Sequence, residues 1–589
     1  MKLLKLEIGD LPNEKQFRSL HAGFKVEFHS LDTKGIKAME SFSPFCFAGL
    51  NGSGKSNVLE ALAAIFYHLE CCVAKFLPEN FKKHFSPEVC SVDAFTLDYL
   101  IGIDGAPYDI EFLEKITISK KIGESPKMFS HCHPYTIKDE NYEISLIPNL
   151  DFREPRAANG KKYLPDVVVG YSSGENEILS LPFRKSRLIN FDKYQEDYNR
   201  GYKFEEPENS LIYIDEEMSQ AVLLACLLYE EENALKSLKV ELGITGLQSF
   251  RIVLKSFETN RTNKFDENPR YLNHIINIID QLKQISTCYF EKKPTMVSLG
   301  NNRISEATHF IYLDFFIDDQ IKKAFKSFFP TSFDLFRFFQ VLYELNLYII
   351  PEQNKEEIYK SKGFYTDYKI PKSYQEDTSF YFEDYYILKT IEGELHPKPL
   401  LLRELSDGEH QFLHTMGICL MLKNRKSLLL LDEPETHFNP SWRAKFIKIL
   451  DDSIKAGSKD LKYGANPVNI NYLKDILLTS HSPFIISDCM PNNVLFFSRN
   501  AQTKLVEAKK ASELGLKTYG SSVDYILKNF FKTNLISNKS FEELKEIIDH
   551  GTIEELRKAV EDFGESSEKQ FLFRKIYEKM ENKDDNKTS

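Results

Sequence analysis

The sequence predicts an α/β fold, a mixed sheet with a glycine-rich loop, split by a large helical insertion and followed by a C-terminal helical extension. Three observations predict it. The apolar run Pro44 to Ala48 enters Gly49-Leu50-Asn51-Gly52-Ser53-Gly54-Lys55-Ser56, and a helical period starts at Ser56. A second apolar run, Ser427 to Leu431, ends in Asp432-Glu433-Pro434. Strand-like and helix-like stretches alternate both early and late in the chain, as in a parallel or mixed sheet.

The elements follow in order. Met1 to Asp10 alternates as a strand, and so does Phe24 to Phe28. From Ser56, the residues Val58, Leu59, Leu62, Ile65 and Phe66 share one helical face. Ala94 to Leu97 and Ile110 to Phe112 read as strands, with a hairpin turn at Asp104-Gly105. Residues 120–163 read as polar and loop-rich, and Val167 to Tyr171 as a buried strand. Tyr271 to Ser286 and Ile321 to Phe328 read as helices. Near the end, Ser540 to Glu543 and Thr552 to Glu555 match capping boxes, and Gly551 suits a helix stop. The expected division is 1–185 as an N-terminal lobe, 186–377 as a mainly helical insertion, 378–500 as a C-terminal lobe, and 501–589 as a helical region with a charged tail.

Bulk properties narrow the function. A chain of 589 residues exceeds one hydrophobic core. A net charge of -11 excludes a global nucleic-acid footprint but not a local one. The strand-like opening argues against a signal peptide, and no membrane span is expected. The nine cysteines are scattered, which fits a reducing cytoplasm. Cys71-Cys72 reads as helix packing. His131-Cys132-His133 reads as a polar loop, because no second ligand pair follows at zinc spacing.

The chemistry sits in four places. Gly49 to Ser56 satisfies GxxxxGK[ST] in strand–loop–helix context. Glycines turn backbone amides towards phosphate, and the helix N-terminus adds partial positive charge. Gly49, Asn51, Gly52, Ser53, Gly54, Lys55, Ser56 and Asn57 are the nucleotide-binding candidates, with Lys55 on the β/γ-phosphates and Ser56 on Mg²⁺. Asp432 is the second metal candidate, and Glu433 the residue that orients the attacking water. Ser406-Asp407-Gly408-Glu409 precedes a helix and reads either as an anion-binding helix start or as a simple cap. His481 ends the apolar strand Ile476 to Ser480 and is the further catalytic candidate.

In this order the four motifs resemble the ABC-type ATPase head, in its SMC/Rad50/RecF-like and overcoming-lysogenization-defect-like branch. The resemblance implies that Ser406, Gly408 and Glu409 of one protomer complete the ATP site of a second, and that His481 is the switch histidine. It further implies that Glu435 to Pro440 is a dimer-interface loop and that Phe17-Arg18-Ser19 lies near the nucleotide. Asp407 stands where the family has glycine. No glutamine lid loop can be placed, Tyr171 to Glu177 being the candidate stretch. The compact head also resembles prokaryotic defence ATPases of the Septu, retron-associated and restriction-associated kinds. That implies ATP, Mg²⁺, a homodimer or higher oligomer, a separate nuclease, nucleic acid as trigger, and no membrane. No nuclease motif is recognised in the chain. The alternatives are a RecF-like genome-maintenance ATPase, a transporter subunit and an inactive scaffold. The size of the insertion opposes the transporter, and Lys55, Asp432 and Glu433 oppose the scaffold.

Overall fold

The computed structural model describes the chain except residues 10–16, 104–111, 132–140, 150–155, 175, 201, 203–204, 258–275, 293–295, 300–301, 306–307, 364–368, 372–377, 423–424, 457–461, 464–465, 468, 534–536 and 586–589. The Asp104-Gly105 turn, Cys132, His133 and the last tail residues therefore lie outside the described residues.

Buried apolar runs build the centre. Ser427–Asp432 and Lys474–Thr479 are buried at every position, as strands covered on both faces must be. They join a seven-stranded sheet in the order Val506–Lys510, Val494–Arg499, Phe45–Gly49, Lys474–Thr479, Ser427–Asp432, Val167–Ser172, Leu211–Tyr213. Every pairing is parallel except the edge hairpin of Val494–Arg499 with Val506–Lys510. Successive side chains point to opposite faces. Leu428 and Leu430 thus enter one core, while Leu429 and Leu431 enter the other.

The first core holds helix Lys55–Val73 between this sheet and a six-stranded antiparallel one, Phe24–Glu27, Lys2–Ile8, Phe95–Gly102, Leu113–Lys120, Lys127–His131, Asn141–Ile144. Contact on both sides explains a helix apolar almost all round. It is long and apolar enough to cross a membrane by length and composition, yet 83% of that window is buried in the protein. Cys71 and Cys72 are buried on it, as expected of packing residues. The second core packs helices Glu216–Tyr229 and Asp407–Met421 against the opposite sheet face.

The α/β class predicted from the sequence is borne out. The internal block is rich in helices, as expected, but it also carries strands. Leu211–Tyr213 extends the central sheet, and Ile244–Phe257 centres a five-stranded antiparallel sheet with Cys288–Lys292, Thr308–Phe316, Phe380–Lys389 and Lys398–Leu401. Phe250, Ile252 and Leu254 face the core while Arg251 and Lys255 stand half-buried on the other side. This is a period of two that dense aromatic content masks. The sheet pairs Ile244–Phe257 with Phe380–Lys389, across the expected boundary at 378. The loop-rich stretch 120–163 also contributes two short strands, Lys127–His131 and Asn141–Ile144. His131 contacts Thr117 Oγ1 at 3.2 Å on that sheet. The C-terminal region contributes the edge strand Val506–Lys510 before its helices. Helix Asn538–His550 starts at Ser537 without a side-chain cap, so Ser540 sits inside it and makes no capping box. Thr552 and Glu555 do form one, and Gly551 ends the preceding helix.

Candidate nucleotide site

Backbone geometry shapes the loop. Gly49, Gly52 and Gly54 have φ of 145°, 72° and 97°, which L side chains rarely adopt. A Cβ on Gly49 would lie 2.3 Å from the Phe497 carbonyl oxygen. The neighbouring strand therefore admits only glycine there. Gly54 is the N-cap of helix Lys55–Val73, whose first amides have no intrahelical acceptor. Lys55 Nζ donates to the carbonyls of Gly49 at 2.9 Å and Leu50 at 3.2 Å. Burial lowers its pKa, against the pull of Glu433 and Asp432. Arg499 braces the loop by donating to the Gly52 carbonyl at 2.9 and 3.2 Å. Ser53 Oγ is buried with no hydrogen-bond partner among the described residues. Asn57 donates to Glu60 at 2.8 Å and accepts from Ser19, and Arg18 lies 3.4 Å from Glu60.

The strand order places Asp432 beside this loop, with Thr479 in register between the two strands. Asp432 Oδ1 accepts from Ser56 Oγ at 2.8 Å and from Thr479 Oγ1 at 2.7 Å. Its Oδ2 accepts from Asn176 Nδ2 at 2.8 Å. Glu433 holds φ at 50°, a left-handed conformation costing about 1–2 kcal/mol for an L residue. Its amide donates to Thr479 Oγ1 at 2.9 Å, which fixes that turn. Glu433 Oε1 lies 3.5 Å from His481 Nε2. Burial, then the Lys55 charge, push the His481 pKa down to about 4, so the ring is neutral at neutral pH. Lys55, Ser56, Glu433 and His481 line one cleft of about 950 Å³ with Asn51, Gly52, Gly54 and Asn57.

Ser406, Gly408 and Glu409 do not line that cleft. Ser406 caps helix Asp407–Met421 in a reciprocal box with Glu409, while Lys389 pairs with Glu409. A Cβ on Gly408 would meet the His437 carbonyl oxygen at 2.7 Å, and Gln411 accepts from the His437 amide at 2.9 Å. The helix start thus packs on the loop after the carboxylates. Ser406 and Asp407 face solvent.

Sequence reasoning missed Thr479, Asn176, Glu60 and Arg499. A threonine closing a buried strand in register with Asp432 was the one legible signal. Asn176 falls within the Tyr171 to Glu177 stretch, although no glutamine does. Among the described residues, no group of three or more His, Cys, Asp or Glu side chains stands ready to hold a metal. Ser56 Oγ and Asp432 are two adjoining hard-oxygen donors. That pair suits Mg²⁺, which takes few protein ligands and keeps waters and phosphate oxygens.

Residues 298–487 match the family model described as "AAA domain, putative AbiEii toxin, Type IV TA system". The match takes in Ser406, Asp432, Glu433 and His481 but not the glycine-rich loop. No curated protein matches the chain. Among solved structures, the chain is similar to an Smc head domain with an extended coiled coil bound to the C-terminal domain of ScpA, from Pyrococcus furiosus. Identity is 11%, the alignment covers 87% of this chain and 98% of that one, and the TM-score is 0.29. A score that low carries no argument about fold.

Proposed function

We propose that the chain binds ATP with Mg²⁺ and hydrolyses it, two copies closing around the nucleotide in the manner of ABC-type heads. The hydrogen bond from Ser56 to Asp432 carries the reading. It joins the glycine-rich loop to the carboxylate strand, so that Lys55 and Glu433 face one cleft. The amides of Gly49 to Asn57 and the Lys55 ammonium bind phosphate oxygens. Ser56 and Asp432 hold Mg²⁺, which would neutralise charge on the β- and γ-phosphates. Glu433 orients the attacking water, and neutral His481 offers a hydrogen bond to the terminal phosphate. Ser406, Gly408 and Glu409 act on the nucleotide of the second copy. The exposure of Ser406 at a helix start, with Gly408 and Glu409 beside it and all three outside their own chain's cleft, supports that role.

The cycle regulates a separate nuclease in cytoplasmic antiphage defence. What supports this is the likeness of the motifs to defence ATPases and a family description that names a toxin. Lobes at 1–185 and 378–500, extended by Leu211–Tyr213 and Val506–Lys510, form the head in this reading.

Glu433→Gln tests both levels. It binds ATP, accumulates as a dimer in size-exclusion light scattering, and loses most turnover. Undiminished turnover removes Glu433 from its role. Nuclease copurifying with the trapped dimer supports defence, whereas DNA without a nuclease favours a RecF-like ATPase.

A further inference from the structure

We propose that Lys362, carried by the inserted segment, is a phosphate ligand of the same cleft, so that a nucleotide clamps the insert onto the glycine-rich loop within one chain. The inference rests on the nucleotide reading above and deepens it. Lys362 lines the cleft alongside Lys55 and Ser56, although it belongs to neither motif-bearing part of the sequence.

Its backbone is anchored from helix Glu177–Arg200. Lys185 on that helix donates to the carbonyls of Tyr359 at 3.1 Å and Ser361 at 2.6 Å. Asp192 accepts from Lys355 Nζ at 3.0 Å and from the Tyr359 hydroxyl at 2.7 Å. These bonds fasten helix Glu352–Lys360 and the turn after it. Gly363 follows with φ 135°, where a Cβ would meet Ile178 at 4.0 Å. The anchoring helix begins beside Asn176, whose amide holds Asp432. One element therefore braces both the carrier of Lys362 and the proposed metal carboxylate.

Charge points to the occupant. The whole chain is acidic at -11. The cleft reverses this: among the described residues, Arg18, Lys55, Lys362, Arg499 and Lys504 line it with one carboxylate, Glu433. Arg18 lies against Glu60, and Arg499 is engaged by the Gly52 carbonyl. Lys362 is exposed and forms no ion pair with a described residue. Like charges gathered in one cleft repel, and a polyanion relieves that repulsion. A lysine ammonium on a flexible stem suits the negatively charged end of a nucleotide triphosphate.

The test uses the full chain with Lys362→Ala, Lys362→Arg and, as control, Lys55→Ala, titrated with ATP and AMP. Lys362→Ala is expected to weaken ATP about tenfold, or about 1.4 kcal/mol. AMP affinity stays unchanged, and Lys362→Arg keeps most of the ATP affinity. The melting temperature without nucleotide stays at the wild-type value, because the side chain is exposed. ATP slows hydrogen exchange across 352–363 in the wild type but not in Lys362→Ala. Wild-type ATP affinity in Lys362→Ala, or an equal loss for ATP and AMP, overturns the inference. If Lys55→Ala also binds ATP normally, the nucleotide reading itself is lost. If only Lys55→Ala fails to bind, that reading stands and the role of Lys362 alone is rejected.

Discussion

Asp432 collects donors from three remote segments, through Ser56, Thr479 and Asn176. Asn176 does two jobs, since its Oδ1 also accepts from the Leu179 amide at 3.0 Å and starts the following helix. Asn176→Ala should lower ATP turnover about tenfold by freeing the carboxylate, and cost about 1 kcal/mol of stability from the lost cap. Steady-state kinetics and denaturant melts check the two effects separately. Glu435 gives a pH-dependent signature. Burial raises its pKa from 4.5 to about 7, against the Ser480 hydrogen bond, and Oε2 has no partner among the described residues. An acid whose folded pKa is raised loses stability as pH climbs from its unfolded value through the folded one. Glu435→Gln should therefore raise the melting temperature above pH 7, with the gain shrinking towards pH 4.5. A gain that is largest in acid contradicts this. Lys55, Ser56, Asp432 and Glu433 were legible because a phosphate loop and a carboxylate-ended strand each need fixed residue types at fixed spacing. Asn176 was not, because an asparagine in a polar turn looks the same whether or not it meets a carboxylate.

Among the elements, the start of helix Asp407–Met421 makes the most sensitive contact. Gly408 is packed so closely under the His437 carbonyl that one methyl group cannot enter without movement. Gly408→Ala is expected to destabilise by about 1–3 kcal/mol and to shift the Glu435 to Phe438 loop. ATP binding by the monomer should survive while hydrolysis falls, as calorimetry and phosphate release would read. The four strands around the glycine-rich loop and the carboxylates were foreseeable, because continuous apolar runs between turns admit few other readings. The five-stranded sheet was not. Phe250, Phe315, Phe382 and Tyr385 crowd its core face, with Phe250 and Phe315 stacked at 4.7 Å. Such density fits a helical template as easily as an alternating one. At the C-terminus, Thr552 caps its helix while Ser540 lies inside one, because a capping-box pattern recurs by chance within helices.

For the whole molecule, composite sites have a consequence that single-chain sites lack. Lys55→Ala and Ser406→Arg should each be inactive alone. Mixed, half of the dimers pair one of each, and every such dimer retains one site with an intact loop and an intact facing turn. The mixture should recover about a quarter of wild-type turnover. A mixture as inactive as its components contradicts completion across the pair. Pairing across a dimer is implied only by the resemblance, since no local pattern states which chain a helix start will face. The same sheet order also sets when the site comes into being. Both neighbours of Phe45–Gly49 come from Lys474–Thr479 and Val494–Arg499, near the far end of the chain. Synthesis runs from the N-terminus. The nascent polypeptide thus carries its complete glycine-rich motif once Ser56 is made, but the strands that shape it arrive only with Lys474–Thr479 and Val494–Arg499, so the proposed nucleotide cleft cannot form before residue 499 is synthesised.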